Sequence, residues 1–312
     1  MKILICGLGS IGLRHAKNLL KLGYKDILLF TSRKVTEKKL KNLKKFNSLT
    51  GALQEKPNLV LICNSTHLHE DIIIRCLKNN TNIFVEKPVG FNKKKLEKIS
   101  ELIKNKPNIN NMVGYMMRFH PAIIKVKQLL KSNEIGKVFH FSSCWGEYLP
   151  NWHKDENYRN SYASNKSMGG GVSLTLSHDL DLSFYLFDKI KKVELIKNNI
   201  NSLKINAESS ADFLVSFKKN INGFIHLDYL QKKPVRNLII TGTEGSIEFN
   251  YYKNLIQINK NNKEKKILFK KFKRNHLFIN EMNYVLESIK SKKKMKPNIV
   301  ESIDLLKSFK LL

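Results

Sequence analysis

The stretch Gly7-Leu8-Gly9-Ser10-Ile11-Gly12 constrains this chain more than any other. It follows a short apolar run, Lys2–Cys6, and opens a segment of helical periodicity, Ile11–Leu22, that ends at Gly23. Between a strand and a helix, the first glycine permits a tight turn. The second lets a diphosphate approach the backbone, and the third allows close helix–strand packing. The diphosphate would rest on the unbonded N–H groups at the positive end of the helix. Gly7, Gly9, Ser10, Ile11 and Gly12 are therefore expected to hold a dinucleotide; a glycine turn with a structural role alone is the competing reading.

The rest of the first third keeps the same rhythm. Strands are expected at Asp26–Phe30, Leu59–Cys63, Asn82–Val85 and Asn111–Gly114. Helices are expected at about Thr36–Phe46, a lysine-rich stretch, and at Asp71–Asn79 and Lys93–Asn105. Strands alternating with helices imply parallel pairing through right-handed crossovers, hence an α/β, doubly wound Rossmann sheet. The rhythm changes after Arg118, which puts a dinucleotide-binding domain at 1–118 and a second domain at 119–312. There a helix is expected at Pro121–Ser132, an extended segment at Lys137–Trp145 and another helix beginning near Gly171. Strands follow at Ala207–Phe217, Gly223–Leu230, Val235–Thr241, Ser246–Asn250 and Asn254–Asn259, with Asn222-Gly223 as a hairpin signal. Helices at Leu277–Lys290 and Val300–Leu311 close the chain. The second domain thus reads as α+β, built on a largely antiparallel open sheet.

Composition matters mainly for what it excludes. The apolar runs are strand-length and cannot span a bilayer, so no membrane association is expected. The amino terminus runs straight into the glycine motif without the apolar core and cleavage site of a secretory signal, which points to the cytoplasm. Four cysteines form no Cys-x-x-Cys pair and no zinc spacing, so no metal is expected. A net charge of +30 invites a nucleic-acid reading. The charge is almost all lysine, scattered over the whole chain, while the arginine suited to base and phosphate recognition is scarce. No nucleic-acid-binding motif accompanies it, so no specific nucleic-acid partner is expected. The densest stretch, Lys263 to Arg274, suits weak, salt-sensitive attraction of polyanions.

Cofactor choice is read at the end of the second strand, where an NAD-selective site usually places a carboxylate on the ribose 2′-hydroxyl. Here stand Thr31-Ser32-Arg33-Lys34, with no acid. Ser32 and Arg33 suit a 2′-phosphate by hydrogen bonding and charge, which favours NADP(H) over NAD(H). Arg33 as a solvated loop residue is the bland alternative.

Further motifs accumulate: His15, then Asn64-Ser65-Thr66-His67-Leu68-His69, Glu86-Lys87-Pro88, Gly114-Tyr115 with Arg118-Phe119-His120-Pro121, Gly169-Gly170-Gly171, and His178. Jointly, over nearly the whole chain, they resemble the glucose–fructose oxidoreductase/inositol dehydrogenase/MocA (Gfo/Idh/MocA) family. The segments Tyr148-Leu149-Pro150-Asn151-Trp152-His153 and Tyr158-Arg159-Asn160-Ser161-Tyr162 look like a branch often associated with surface-sugar biosynthesis.

The resemblance adds Asn64, Ser65, Thr66, His69, Glu86 and Lys87 to the expected cofactor site. It places Lys87 beside the nicotinamide, within reach of a substrate hydroxyl. An amine near a cationic ring and partly desolvated should have a lowered pKa and serve as acid/base. His178, an imidazole titrating near neutrality, is expected as the second acid/base, with a core histidine as the competing reading. Three residues earlier this branch typically carries an aspartate, whereas this chain has Thr175, which can hydrogen-bond but cannot act as an anionic base. Asp179 and Asp181 are nearby carboxylates that can supply the charge. Arg118, Tyr148, Trp152, Tyr158, Arg159 and Asp181 are the candidate contacts to a sugar, since aromatic faces stack on pyranose rings and arginine pairs with anions; a packed loop between domains, and for Arg118 a place in the interdomain seam, are the competing readings. His153 lies in the same stretch.

The expected activity is NAD(P)-dependent oxidation of a sugar-ring hydroxyl or reduction of a keto-sugar, the sugar being free, acidic or nucleotide-activated. A non-catalytic dinucleotide-binding sensor or scaffold is the rival that Thr175 motivates. In this family the exposed face of the second domain's sheet often pairs with another subunit, so the resemblance implies a homodimer or homotetramer.

Overall fold

The computed structural model describes residues 1–152 and 156–312, so His153 lies outside the described residues. The first sheet is formed by β1 (Ile3–Cys6), β2 (Ile27–Phe30), β3 (Lys44–Phe46), β4 (Leu59–Ile62), β5 (Asn82–Glu86) and β6 (Asn111–Gly114). Their order is β3-β2-β1-β4-β5-β6, and every pairing is parallel. Helices α1 (Ser10–Lys21), α2 (Leu49–Gln54), α3 (His69–Lys78) and α4 (Lys93–Lys104) lie between strands. Strands β1 and β4 are wholly buried, as a parallel sheet covered on both faces requires. The winding reverses between β1 and β4, and the crevice at such a reversal is where doubly wound sheets bind ligands.

The lysine-rich helix expected at Thr36–Phe46 does not form. A single 3-10 turn, Lys38–Leu40, leads into β3, which pairs with β2 at the edge of the sheet. Only Leu40 is buried between residues 36 and 46, too little for an amphipathic helix to dock.

The second sheet contains β7 (Val138–Gly146), β8 (Ile190–Asn198), β9 (Ser210–Phe217), β10 (Asn222–Asp228), β11 (Val235–Gly242), β12 (Gly245–Asn250), β13 (Leu255–Lys260) and β14 (Lys263–Leu268). Its order is β14-β13-β12-β11-β7-β10-β9-β8, antiparallel except where β7 meets β10. Helix α5 (Pro121–Lys131) precedes it, with Pro121 in its first turn, while α6 (Val172–Thr175) and α7 (His178–Phe187) separate β7 from β8. The helix expected from Gly171 is therefore interrupted at Leu176-Ser177.

Both edges of this sheet, β8 and β14, escape sequence reading. In β14 four consecutive residues, Lys263 to Lys266, are exposed, so no alternation marks the strand. Lysine on an edge strand also discourages pairing with another sheet. The Asn222-Gly223 signal is displaced as well. The turn between β9 and β10 uses Asn220 at φ 58°, while Gly223 lies inside β10. A Cβ at Gly223 would sit 1.9 Å from the Phe141 ring, so this glycine serves packing.

By internal packing the chain divides into one unit of Met1–Tyr115, Phe278–Asp304 and Leu312, and another of Met116–Leu277 and Leu305–Leu311. A boundary at residue 118 assigns everything after it to the second domain; the structure returns a C-terminal segment to the first. Helices α8 (Asn275–Lys290) and α9 (Ile299–Ser308) are joined by a stretch that meets edge strand β6. Val113 N–H donates to the Pro297 carbonyl at 3.0 Å, and Ile299 N–H to Asn111 Oδ1 at 2.8 Å. Unpaired strand backbone needs such partners. No described helix is long and apolar enough to cross a membrane.

His120 caps α5 by accepting the Ala122 N–H at 3.1 Å, and its ring lies 4.4 Å from that of Phe272. Burial, helped by the Arg236 charge, pulls its pKa down to about 4. The unfolded chain takes up this proton near 6.5 and the folded chain only near 4, so stability is full above 6.5 and lost as pH falls toward 4. Urea unfolding at pH 7.5 and 4.5 should show His120→Asn removing about 3 kcal/mol of the wild-type pH dependence. An unchanged dependence would refute this.

Candidate dinucleotide and acid–base sites

In the first unit the three motif glycines do three different things. Gly7 takes φ +90°, and a Cβ there would sit 2.9 Å from the Asn64 nitrogen. A Cβ on Gly12 would lie 2.0 Å from the Gly7 carbonyl oxygen and 3.2 Å from Cys63 Cβ, so α1 could not approach β4. A Cβ on Gly9 would meet nothing within 4 Å. Helix α1 starts at Ser10 with no side-chain cap and no acidic residue in its first turn. Its early N–H groups, which lack helical partners, thus have no side-chain cap and stand at the positive end of the helix dipole. Beside Gly7, the buried Asn64 side-chain oxygen has no hydrogen-bond partner. This cradle of bare amides, an open glycine and an orphaned acceptor fits a dinucleotide diphosphate.

At the end of β2, Thr31 is buried and Ser32, Arg33 and Lys34 are exposed; the Arg33 N–H donates to Thr31 Oγ1 at 3.1 Å. Ser65 is half-buried and Thr66 buried in a 3-10 turn after β4. Lys87, half-buried, follows directly on the carboxyl end of β5, and the Lys87–Pro88 peptide is cis.

Two expected cofactor residues are engaged elsewhere. Glu86 Oε1 lies 2.7 Å from Nε2 of His15, which is fully buried with its ring 5.3 Å from Phe84. Both ring nitrogens of His69 meet backbone carbonyls, those of Pro88 and Asn64. Burial lowers the His69 pKa, and those carbonyls with the Glu70 and Glu86 charges push it back up. Glu86 Oε1 and the His69 ring are thus engaged with other parts of the first unit.

In the second unit, α7 opens with a buried row of His178, Asp179 and Asp181. The His178 ring lies 5.8 Å from that of Trp145. Asp179 accepts from Ser143 Oγ at 2.8 Å and from Arg236 Nη2 at 2.6 Å, and the Arg236 guanidinium stacks 3.8 Å over Trp145. Asp181 takes Arg118 in a two-pronged pair, at 2.8 Å to Nε and 2.7 Å to Nη2. Neither carboxylate is left to replace the charge missing at Thr175, and Arg118 and Asp181 serve each other. Arg118 also lies 4.9 Å over Tyr185, with Lys127 Nζ 3.2 Å over the same ring. Burial, and then the Arg118 charge, lower the Lys127 pKa to about 8.

Thr175 is buried against the phenol of Tyr229, whose pKa burial raises well above the ordinary tyrosine value. Trp152 packs edge-on to Tyr229 at 5.5 Å. Tyr148 is half-buried at the start of a short turn. The Tyr158 hydroxyl donates to the Leu203 carbonyl at 3.0 Å, and Arg159 Nε reaches the same oxygen at 3.5 Å. Of the expected sugar contacts, Tyr158 thus commits its hydroxyl to the fold.

Sequence reading missed Tyr229 and Arg236. Both lie on or just beyond strands where inward position alone signals burial, and nothing local marks their distant partners Thr175 and Asp179.

Comparison with known proteins bears on this arrangement. Residues 1–115 match an oxidoreductase family described by its NAD-binding Rossmann fold, and residues 123–248 match the GFO/IDH/MocA C-terminal domain. The chain is 32% identical over 145 residues to myo-inositol 2-dehydrogenase of Thermotoga maritima, covering 44% of this chain and 42% of that protein. It is 26% identical over 220 residues to levoglucosan dehydrogenase of Pseudarthrobacter phenanthrenivorans, covering 62% and 55%. The chain thus spans about half the length of these relatives. A solved levoglucosan dehydrogenase in complex with NADH and levoglucosan superposes with a TM-score of 0.88 at 16% identity, covering 100% of this chain and 95% of that one. With residues 1–115 and 123–248, well over half of the chain, matched by its two domain models, the chain belongs to the Gfo/Idh/MocA family of oxidoreductases.

Proposed function

We propose that the protein is an NAD(P)-dependent oxidoreductase acting on a CH–OH group of a sugar ring, the substrate being a sugar, sugar acid or nucleotide sugar. The observation that carries this reading is an amine, Lys87, at the carboxyl end of β5 in a unit whose glycine loop is open for a diphosphate. A bound nicotinamide accepts or gives the hydride. The chain supplies the rest. Gly7, Gly9, Ser10, Ile11 and Gly12 hold the phosphates, with Asn64, Ser65 and Thr66 bordering them. Lys87 takes or returns the substrate hydroxyl proton, with His178 as a second acid/base and Thr175 as a neutral hydrogen-bonding neighbour. Tyr148 and Trp152 offer stacking faces, while Arg159, Tyr158, Arg118 and Asp181 shape the surroundings. A role in surface-polysaccharide synthesis fits a nucleotide-sugar substrate.

Following absorbance at the nicotinamide band, with NAD(H) and NADP(H) against a panel of sugars, sugar acids and nucleotide sugars, tests the proposal. Substrate-dependent change is expected. Tight nucleotide binding with no change across the panel would instead support the non-catalytic binder.

Ser32 and Arg33, with no carboxylate between residues 31 and 34, favour NADP(H). Arg33→Ala should lower the NADP(H)/NAD(H) ratio of kcat/KM by roughly tenfold or more, the worth of a charge-assisted phosphate contact. An unchanged ratio would return Arg33 to the role of a solvated loop residue.

A homodimer or homotetramer is proposed through the uncovered face of the second sheet. There Ile196, Leu214, Phe224 and Ile239 are 63%, 60%, 41% and 39% exposed, and Leu214 and Phe224 are directly paired. Apolar side chains in register on a flat sheet suit a second copy of the same face. Light scattering should give twice or four times the chain mass, and Leu214→Lys should shift it to the monomer. A monomeric wild type would rule the assembly out.

A further inference from the structure

The first two residues of α3 grip the turn that carries Lys87 from both of its sides. His69 is 1% exposed, with its ring nitrogens 2.8 Å from the Pro88 carbonyl oxygen and 2.9 Å from that of Asn64. Glu70 is also 1% exposed, and its Oε1 accepts the Phe91 N–H at 2.8 Å and the Asn92 N–H at 2.9 Å. The side chain lies flat against the backbone: a Cβ on Gly90 would sit 2.6 Å from the Glu70 carboxyl carbon. Asn92 passes the constraint on, since its side chain accepts the Lys95 N–H and so caps α4.

A buried carboxylate is costly unless hydrogen-bonded, and an apolar side chain would fill the same volume. What the carboxylate adds is direction. Two amides aimed at one oxygen fix the backbone from Gly90 to Asn92, while His69 fixes it at Pro88. His69 does more, because its other contact is Asn64, which backs the positive-φ turn at Gly7. One buried imidazole therefore fills the gap between the wall of the glycine cradle and the turn bearing Lys87, its single N–H bonded to one of the two carbonyls.

We propose that His69 and Glu70 are positioning residues for Lys87: the His69 ring is lodged between the Pro88 and Asn64 carbonyls and donates to one of them, and Glu70 holds the Phe91 and Asn92 amides. This rests on the reading of Lys87 as the acid/base. Neither residue touches the reactants; both act through the turn. Errors of about 1 Å in placing a reacting group cost on the order of 100-fold in rate, so slack in this turn should be visible in kcat.

Amide exchange, nucleotide affinity and turnover are to be measured on the full chain for His69→Ala, Glu70→Ala and Glu70→Gln. In both alanine variants, the amides of residues 89–92 should exchange about tenfold faster while β1 and β4 keep their protection. Turnover should fall roughly 10- to 100-fold in both, with the nucleotide dissociation constant of Glu70→Ala moving less than about threefold. Glu70→Gln keeps an acceptor oxygen and should restore most of both. Unchanged exchange at 89–92 overturns the proposal, as does protection lost equally in β1 and β4, or, in Glu70→Ala, nucleotide affinity lost as much as turnover. A wild type that binds nucleotide but turns over no sugar would sink the Lys87 reading instead, while the exchange comparison still decides whether the pair holds the turn.

Discussion

Lys87→Ala is expected to bind the nucleotide as the wild type does and to turn over about 10²–10⁴-fold more slowly, the usual worth of a positioned general acid or base. The separation follows from where the two functions sit. In the proposed site the phosphates would rest on backbone N–H groups at the start of α1 and in the space over Gly9, which belong to a different loop from Lys87. The alanine variant keeps Glu86 on His15 and Pro88 on His69, so the backbone of the turn stays held. Fluorescence titration with NADPH reads binding, and initial rates on the best sugar of the panel read chemistry. Turnover equal to the wild type would remove the amine from the mechanism.

The second large effect is on stability. Asp179→Ala should cost about 3–5 kcal/mol, because it strands the Arg236 guanidinium, which is 4% exposed, without its counter-charge. The same change frees the Ser143 hydroxyl, also buried, from its acceptor. Replacing both partners by apolar residues of similar size, Asp179→Leu with Arg236→Met, should recover most of the loss, since no charge then stays buried. Urea unfolding of the two singles and the double decides the matter. A loss below about 1 kcal/mol in Asp179→Ala would show that the pair is already solvated when folded. His178 precedes Asp179 on α7, so the single variant should also disturb His178, whereas the apolar pair should leave α7 in place.

How much was legible in the sequence depended on the range of the physics. The turn at Gly7, the opening of α1 and the alternation that dictates a parallel sheet are local matters, readable in a dozen residues. So was the change of architecture after Arg118, since alternating inward and outward residues mark the inner strands β9 to β13. The rule failed at β3, β8 and β14, whose lysines face water on both sides of the edge. There strand identity comes from a neighbouring backbone that sequence pattern does not name.

The candidate site divides in the same way. The sequence alone determined which groups are present: a phosphate cradle, an amine after β5, an imidazole on α7 and a hydroxyl where a carboxylate was expected. Only the tertiary structure decided which of these are spent on one another. Asp181 and Asp179 are claimed by Arg118 and Arg236, lying 63 and 57 residues away, and Glu86 by His15 at 71 residues. A buried charge must find its partner wherever the fold brings one, and loop closure over such distances leaves no trace in local spacing.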